Sequence, residues 1–183
     1  MTQEIYAQNL KEILNNKNKI ERELRVRITN QGRNVFIEGD AENEYLCLRM
    51  IEAINLGFSL EQALTLKNEE TILHILNIRD VTRRKDLERI RARLIGSQGK
   101  TRENMENLSD CMISVHDNWV GIIGEVGCID EAIISIKLII QGSKQGNVYA
   151  RLEKKKKERR LKPLETIKRQ RPNKKVGKYQ KLE

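Results

Sequence analysis

Ile95-Gly96-Ser97-Gln98-Gly99-Lys100-Thr101-Arg102 is the stretch that decides the fold, because it separates two segments with helical periodicity. The segment before it repeats apolar residues along one helical face, at Leu87, Ile90 and Leu94. The segment after it places Met105 and Leu108 on the inner side of a second helix. Glycine lacks a Cβ, so it permits a tight turn and a close approach by another backbone. The pattern predicts a helix, a glycine turn and a second helix.

The segments that flank this helix pair have the composition of strands. Residues 73–81 are rich in Leu and Ile, and residues 111–115 and 120–123 predict two further strands joined near Asp117-Asn118. A broad apolar face over residues 129–140 predicts a packed helix that ends near Gly142. The predicted order over residues 73–142 is therefore strand, helix, GxxG, helix, strand, strand, helix.

The first third of the chain shows a weaker version of the same order. A first strand has no clear pattern, and residues 10–14 and 19–24 predict two short helices joined by Asn15-Asn16-Lys17-Asn18. Leu24, Val26 and Ile28 alternate with arginines as in a strand, and residues 35–37 predict a second strand after a turn at residues 30–33. A helix over residues 42–58, with Gly57 as its stop signal, and a short helix capped from Ser59 follow. We interpret the chain as two related α+β units, of which the first is degenerate because it lacks the glycine turn.

Positive charge is concentrated in two places. The chain carries a net charge of +9, of which residues 151–183 supply 15 Lys/Arg against 4 Asp/Glu, so the rest of the chain is nearly neutral. Within that neutral part, residues 79–102 hold nine basic residues against three acidic ones. Two separate basic features on a small protein indicate a polyanionic partner, in particular nucleic acid.

The glycine turn has the chemistry of a phosphate site. The first amides of the second helix, with the positive end of its dipole, favour an anion. Lys100 and Arg102 add charge there, and the preceding helix adds Arg89, Arg91 and Arg93. By itself GxxG also fits a helix that ends in glycine before an ordinary turn. A Walker-type loop is excluded by spacing, and a dinucleotide fold is disfavoured because the glycines lie between helices.

Three stretches together resemble one family. They are Leu94 to Arg102 with Ile113-Ser114-Val115, the segment from Asn55 to Leu64, and the segment from Gln145 to Glu153. With these stretches, residues 10–160 resemble the Partner-of-NOB (Dim-type) ribosome-biogenesis proteins, especially their archaeal form, and the second unit resembles a type I KH domain (β-α-α-β-β-α). The sequence departs from the family at Asn15-Asn16-Lys17-Asn18, where relatives can show a glycine loop. We expect the first unit to keep only a packing or protein-binding role, although Asn and Lys side chains can still contact phosphate.

The resemblance implies tandem KH units that bind single-stranded RNA from the 3′ region of small-subunit ribosomal RNA and assist its maturation. KH domains clamp about four nucleotides with the GXXG loop. Carried over by position, the phosphate-facing set is Gly96, Ser97, Gln98, Gly99 and Lys100, with Arg91, Arg93 and Arg102 as neighbouring cations. Ile95, Met105 and Ile113 would line the groove that holds the bases. Implied partners are the 3′-end endonuclease and the alpha subunit of initiation factor two.

The resulting division is a degenerate KH-like unit over residues 1–70, a KH domain over 71–145 and a basic extension over 146–183. Val148, Tyr149 and Leu152 predict a helix from near Asn147 toward Leu161, and we expect disorder beyond Pro163 in the absence of RNA. Trp119 fits either a base-stacking residue or a partly exposed turn residue.

Other function classes have little support. The scattered thiols Cys47, Cys111 and Cys128 predict reduced cysteines and no zinc site, and no residues form a catalytic arrangement. No cofactor motif, transmembrane run or signal peptide is present, so we expect a soluble, cytoplasmic, non-enzymatic protein without a membrane partner. Two alternatives stay open: a protein-interaction scaffold that recruits the endonuclease or initiation factor, and a KH-type regulator of messenger RNA.

Overall fold

Two three-stranded antiparallel sheets organise the chain, and both are built by the same order of elements. The computed structural model describes residues 3–169. The first unit contains a β-α-α-β-β-α arrangement with strand order β1-β3-β2. Its elements are β1 (Gln3–Tyr6), α1 (Leu10–Asn15), α2 (Lys17–Leu24), β2 (Arg27–Gln31), β3 (Asn34–Glu38) and α3 (Ala41–Asn55), followed by α4 (Leu60–Leu64). Within the described residues, no helix is long and apolar enough to cross a membrane.

The second unit repeats that arrangement with longer first and third strands and one additional short helix. Its strand order is β4-β6-β5, so the third strand of the unit lies in the middle of the sheet, as in the first unit. Its elements are β4 (Thr71–Asn77), α5 (Ile78–Val81), α6 (Leu87–Ile95), α7 (Lys100–Ser109), β5 (Met112–His116), β6 (Trp119–Glu125) and α8 (Val126–Gln141), and α9 (Gln145–Arg169) follows. The α+β class and the predicted order of the second unit are therefore confirmed.

Several predicted boundaries are wrong. Leu24 ends α2 instead of starting a strand, because Arg25 turns the chain with a left-handed φ of 53° and the strand begins only at Arg27. The strand predicted over residues 73–81 ends at Asn77, whose side chain accepts a hydrogen bond from the Arg79 amide and starts α5. A first strand does exist, at Gln3–Tyr6.

The C-terminal helix is longer than the sequence indicates. It begins at Gln145 and continues past Pro163 to Arg169, so the expectation of disorder directly beyond Pro163 is wrong for residues 164–169. The remainder of the predicted disordered tail, residues 170–183, lies outside the described residues.

The second sheet is covered on both faces, which explains why β6 is buried almost throughout. Val120 and Ile122 pack into the core beneath the helices of the second unit, whereas Ile123 packs into the core of the first unit. Successive strand residues point to opposite faces, so this alternation places one unit on each side of the sheet. A Cβ on Gly121 would lie 2.6 Å from Cε2 of Phe58 and 3.0 Å from Cδ1 of Leu56. The missing side chain at Gly121 is what lets the first unit pack closely against the strand.

Polar contacts fix the same junction. The Ser114 hydroxyl donates to the Leu56 carbonyl oxygen at 2.6 Å. Arg49 of α3 donates to the Leu73 carbonyl oxygen at 2.5 Å and pairs with Glu52. Hydrogen bonds between a side chain of one unit and the backbone of the other specify how the two units are aligned.

Helix α9 is held to the end of α7 by charge. Lys156 and Arg159 donate to the two carboxylate oxygens of Asp110, at 2.5 and 2.9 Å. Burial alone would raise the pKa of Asp110, but these two hydrogen bonds outweigh it and the pKa lies below its usual value. Val148 and Leu152 on the same helix are buried in the core of the second unit, so α9 is packed onto that unit.

Gly121→Ala tests the junction. We expect this substitution to lower the free energy of unfolding by about 1–3 kcal/mol, because the added methyl group must displace Phe58 and Leu56. Gly127→Ala is the matched control, since nothing lies within 4 Å of a Cβ at that helical position. Urea denaturation followed by circular dichroism measures both variants. Equal stability of the two would contradict close packing of the first unit against β6.

Candidate nucleic-acid interface

The glycine turn between α6 and α7 has a backbone that side chains rarely adopt. Gly96, Gln98 and Gly99 have φ values of 74°, 53° and 80°. A Cβ on Gly96 would lie 2.1 Å from Oγ1 of Thr101, so position 96 requires glycine for space as well as for conformation. At Gly99 nothing lies within 4 Å of the Cβ position. The turn is therefore closely packed on its inner side at Gly96 and open on its outer side at Gly99.

Thr101 and Gln145 brace the turn from within. Thr101 is buried in the first turn of α7, and its Oγ1 accepts a hydrogen bond from Gln145 Nε2 at 3.0 Å. The same amide nitrogen donates to the Arg93 carbonyl oxygen at 3.1 Å, near the end of α6. The first residue of α9 thus joins both helices that flank the turn. The sequence pattern contains no signal for this bracing role, because Gln145 is far from the turn along the chain.

The predicted cations separate onto two sides of α6. Arg91 donates to Asn118 Oδ1 at 3.1 Å, beside the β5–β6 turn. Arg93 points the other way and donates to the Ser143 carbonyl oxygen at 2.7 Å. Lys100 is exposed at the start of α7, and Arg102 lies 3.9 Å from Glu106 one turn later. Lys100 therefore lies at the turn itself, and Arg91 and Arg93 add positive charge on opposite sides of the neighbouring helix.

The predicted apolar groove is only partly open. Ile95, directly before the turn, is 38% exposed, but Met105 and Ile113 are 1% and 3% exposed and belong to the core of the second unit. Both side chains lie beneath the surface in the core of the second unit, and their role in lining the groove stays a prediction. Ile95 is the member of the predicted set that solvent, or a base, can reach.

The corresponding turn of the first unit has ordinary backbone geometry. Helices α1 and α2 meet at Asn16, whose φ is −101°, so this turn does not require glycine. Leu14, near the end of α1, is 39% exposed. A cavity of about 510 Å³ opens beside it, lined by Gln8, Asn9, Leu10, Lys11, Leu14, Asn15 and Arg33. The first unit therefore keeps the helix pair without the tight glycine turn.

Features that would favour enzymatic chemistry are weak in the described residues. No group of three His, Cys, Asp or Glu side chains between residues 3 and 169 could hold a metal ion. All three thiols are free, and burial raises the pKa of Cys47 to about 12 and that of Cys111 to about 11, so both stay protonated.

Trp119 is 43% exposed and lines a cavity of about 310 Å³ between the two units, with Glu52, Asn55, Leu56 and Ile75.

Comparisons with known proteins agree with this geometry. The PNO1 second-domain family model, described as a eukaryotic type KH-domain (KH-domain type I), matches residues 72–157. A KH domain-containing protein of Methanocaldococcus jannaschii is 31% identical over 106 residues, which cover 57% of this chain and 47% of that protein. The pre-rRNA-processing protein pno1 of Schizosaccharomyces pombe is 31% identical over 137 residues, which cover 70% of this chain and 57% of that protein. The chain thus spans about half the length of the curated relatives that it matches.

Two solved structures extend the similarity over most of the chain. Dim2p from Pyrococcus horikoshii has a TM-score of 0.78 and 29% identity, covering 84% of this chain and 99% of that one. A chain in the a/eIF2alpha-aDim2p-rRNA complex of the same organism has a TM-score of 0.79 and 30% identity, covering 86% of this chain and 95% of that one. With the family model on the second unit and these structures over both, the chain belongs to the PNO1/Dim2 family of KH-domain proteins.

Proposed function

We propose that this protein binds single-stranded RNA from the 3′ region of small-subunit ribosomal RNA and assists its maturation. The observation that carries the proposal is the Gly96–Gly99 turn, open at Gly99 and surrounded by cations at the start of a helix. The similarity to pre-rRNA-processing proteins and to a chain in an rRNA complex supports the same function.

The geometry indicates how the turn would hold RNA. A phosphate can approach Gly99 without meeting a side chain, and the first turn of α7 offers amides and a positive dipole end. Lys100 and Arg102 then add charge-assisted contacts to the phosphates, and Arg91 lies on the groove side of α6. Ile95, exposed next to the turn, supplies an apolar surface for a base. Met105 and Ile113 act beneath this surface as its packed support.

We propose that each of the three predicted segments has a separate role. Residues 71–145 hold the RNA, and residues 1–70 cover the second sheet. Residues 146–183 continue the helix that starts at Gln145 beside the turn, and they supply a series of basic residues. Basic side chains on α9 add affinity by releasing counterions from RNA, independently of its sequence. We further propose that the protein acts in the cytoplasm and positions RNA for other factors without catalysing a reaction.

Gly99→Asp and Gly99→Asn form a matched pair that tests the turn. Both side chains tolerate a positive φ better than other residues, and both have open space at position 99. Only Asp places a negative charge where the phosphate would lie. We expect Gly99→Asp to weaken binding of a matched RNA roughly 10- to 100-fold, and Gly99→Asn to stay within about threefold of the intact protein.

The measurement is fluorescence anisotropy with a labelled RNA that matches the 3′ end of small-subunit rRNA, and a scrambled RNA as the specificity control. Unchanged affinity and sequence preference in Gly99→Asp would show that the turn is not the RNA site. A scaffold role would then be the better account of the KH architecture. Preference for other sequences over the rRNA match would favour a messenger-RNA regulator.

A second candidate function, docking of a protein partner, is favoured by Trp119. Its half-exposed indole lies at the junction of the units, and tryptophan is common at interface hot spots. We propose the alpha subunit of initiation factor two as the partner, with the 3′-end endonuclease as an alternative.

Trp119→Ala tests this docking site. We expect at least a tenfold loss of affinity for the alpha subunit, because a buried tryptophan commonly contributes about 2 kcal/mol or more to an interface, with RNA binding unchanged. Isothermal titration calorimetry with the purified subunit measures the loss, and the Gly99→Asp variant is the control that should bind the subunit normally. Normal binding by Trp119→Ala would exclude this surface.

A further inference from the structure

Helix α6 presents a second row of cations on the side opposite the groove. Arg89 and Arg93 lie one helical turn apart and face α9 and the α8–α9 corner, whereas Arg91 faces the β5–β6 turn. We call the surface on this far side the back trench and define it by Arg84, Arg89, Arg93, Lys100, Asn104 and Tyr149. It begins at the glycine turn, because Gly96 and Ser97 also line it.

The back trench has the volume to hold part of a nucleic-acid chain. One cavity of about 510 Å³ lies between α6, the start of α7 and α9. A second cavity of about 310 Å³ adjoins it, since Arg89 and Arg93 line both. Together the two neighbouring cavities extend from Lys100 at the glycine turn to Arg84 beside Gly142.

Charge along this path is unbalanced. Among the described residues that line the two cavities, Asp86 is the one carboxylate, and it lies 4.0 Å from Arg84. Four cations therefore face a single acid. The Nη1 atoms of Arg84 and Arg93 lie 3.5 and 3.8 Å from the position of a Cβ on Gly142, so two guanidinium groups approach the same point. The two guanidinium groups carry the same charge and repel each other, and a bound anion would relieve this repulsion.

Fixed geometry makes these cations more than a solvated face. The Arg93 guanidinium is held by the Ser143 carbonyl oxygen at 2.7 Å, and the backbone beneath it is held by Gln145. Opposite the cations, Asn104 offers an amide and Tyr149 an aromatic ring in the same cavity. A cation that is held in place beside Arg89, with an amide and a ring in the same cavity, matches the phosphates and bases of a single strand.

We propose that the RNA strand continues past the glycine turn into the back trench, where Arg84, Arg89 and Arg93 bind its next phosphates. This inference rests on the proposed function, because the strand enters the trench from the GxxG site. The RNA would then contact both sides of α6, with the glycine turn between the two contacts. A KH groove alone accommodates about four nucleotides, so the trench extends the footprint of the second unit beyond that length.

Arg89→Gln is the variant that isolates the trench. Arg89 is exposed, lines both cavities and lies on the far side of α6 from the groove. Arg83→Gln is the matched control, because it removes the same charge from an exposed side chain that lines neither cavity. Thermal unfolding of both variants verifies that each is folded.

The experiment compares a four-nucleotide and a twelve-nucleotide RNA of the same core sequence, extended on the 5′ side in one set and on the 3′ side in another. We expect Arg89→Gln to weaken one of the extended RNAs roughly tenfold and the four-nucleotide RNA far less, because Arg89 lies beyond the turn itself. Its salt slope for that RNA should fall by about 0.7, the value for one phosphate contact on a single strand. Arg83→Gln should retain the affinity of the intact protein for every RNA.

Equal behaviour of Arg89→Gln and Arg83→Gln on both extended RNAs would overturn the proposal. Inorganic phosphate or a mononucleotide could also displace the extended part of the RNA from the trench. If either bound there as tightly as the extension does, the trench would be a small-anion site and the proposal would be overturned. Failure of the proposed function looks different: the intact protein would not bind the four-nucleotide RNA, or Gly99→Asp would bind it normally.

Discussion

The contact between Gly96 and Thr101 is the constraint on which the candidate site depends. The backbone at Gly96 passes so close to the Thr101 hydroxyl that no side chain fits between them. That approach brings α6 and α7 together and sets the positive φ values at Gln98 and Gly99, and it leaves Gly99 facing open space. Thr101 is in turn held by Gln145 of α9, so the shape of the turn is fixed by a residue more than forty positions away.

The same reliance on close approach appears on the other side of the second unit. Gly121 gives the first unit room to pack on the sheet, and Ser114 and Arg49 align the two units through hydrogen bonds. The second unit is therefore supported on three sides: by the first unit beneath its sheet, by α8 within its core and by α9 beside its turn. This support leaves the glycine turn and its flanking cations as a rigid, exposed edge, which suits a site that must hold a flexible single strand.

The sequence could predict elements that depend on local pattern. The α6–turn–α7 stretch, the β5–β6 hairpin and α8 have strong periodicity, and their positions are correct within a few residues. Leu24 and Val26 misled the prediction because buried residues two apart also arise where a helix ends and the chain turns at Arg25. Strand β1 gave no signal because it lies at the edge of its sheet and is largely exposed.

The glycine turn was predictable in position, but the burial of the residues around it was not. The sequence places the glycines, Lys100 and Ile95 at the turn because turn chemistry is local. The burial of Met105 and Ile113 could not be predicted, because an apolar residue that faces the core and one that faces a ligand have the same spacing. Gln145 and the back trench depend on where α9 packs, and no local pattern specifies that contact between distant segments.

The most direct test of the account is an amide chemical-shift titration of the labelled protein with single-stranded RNA that matches the 3′ end of small-subunit rRNA. The account predicts that the largest shifts fall on residues 96–102, with further shifts at Ile95 and along α6. Shifts confined to the first unit or to α9, with the amides of residues 96–102 unchanged, would contradict the claim that the glycine turn holds the RNA.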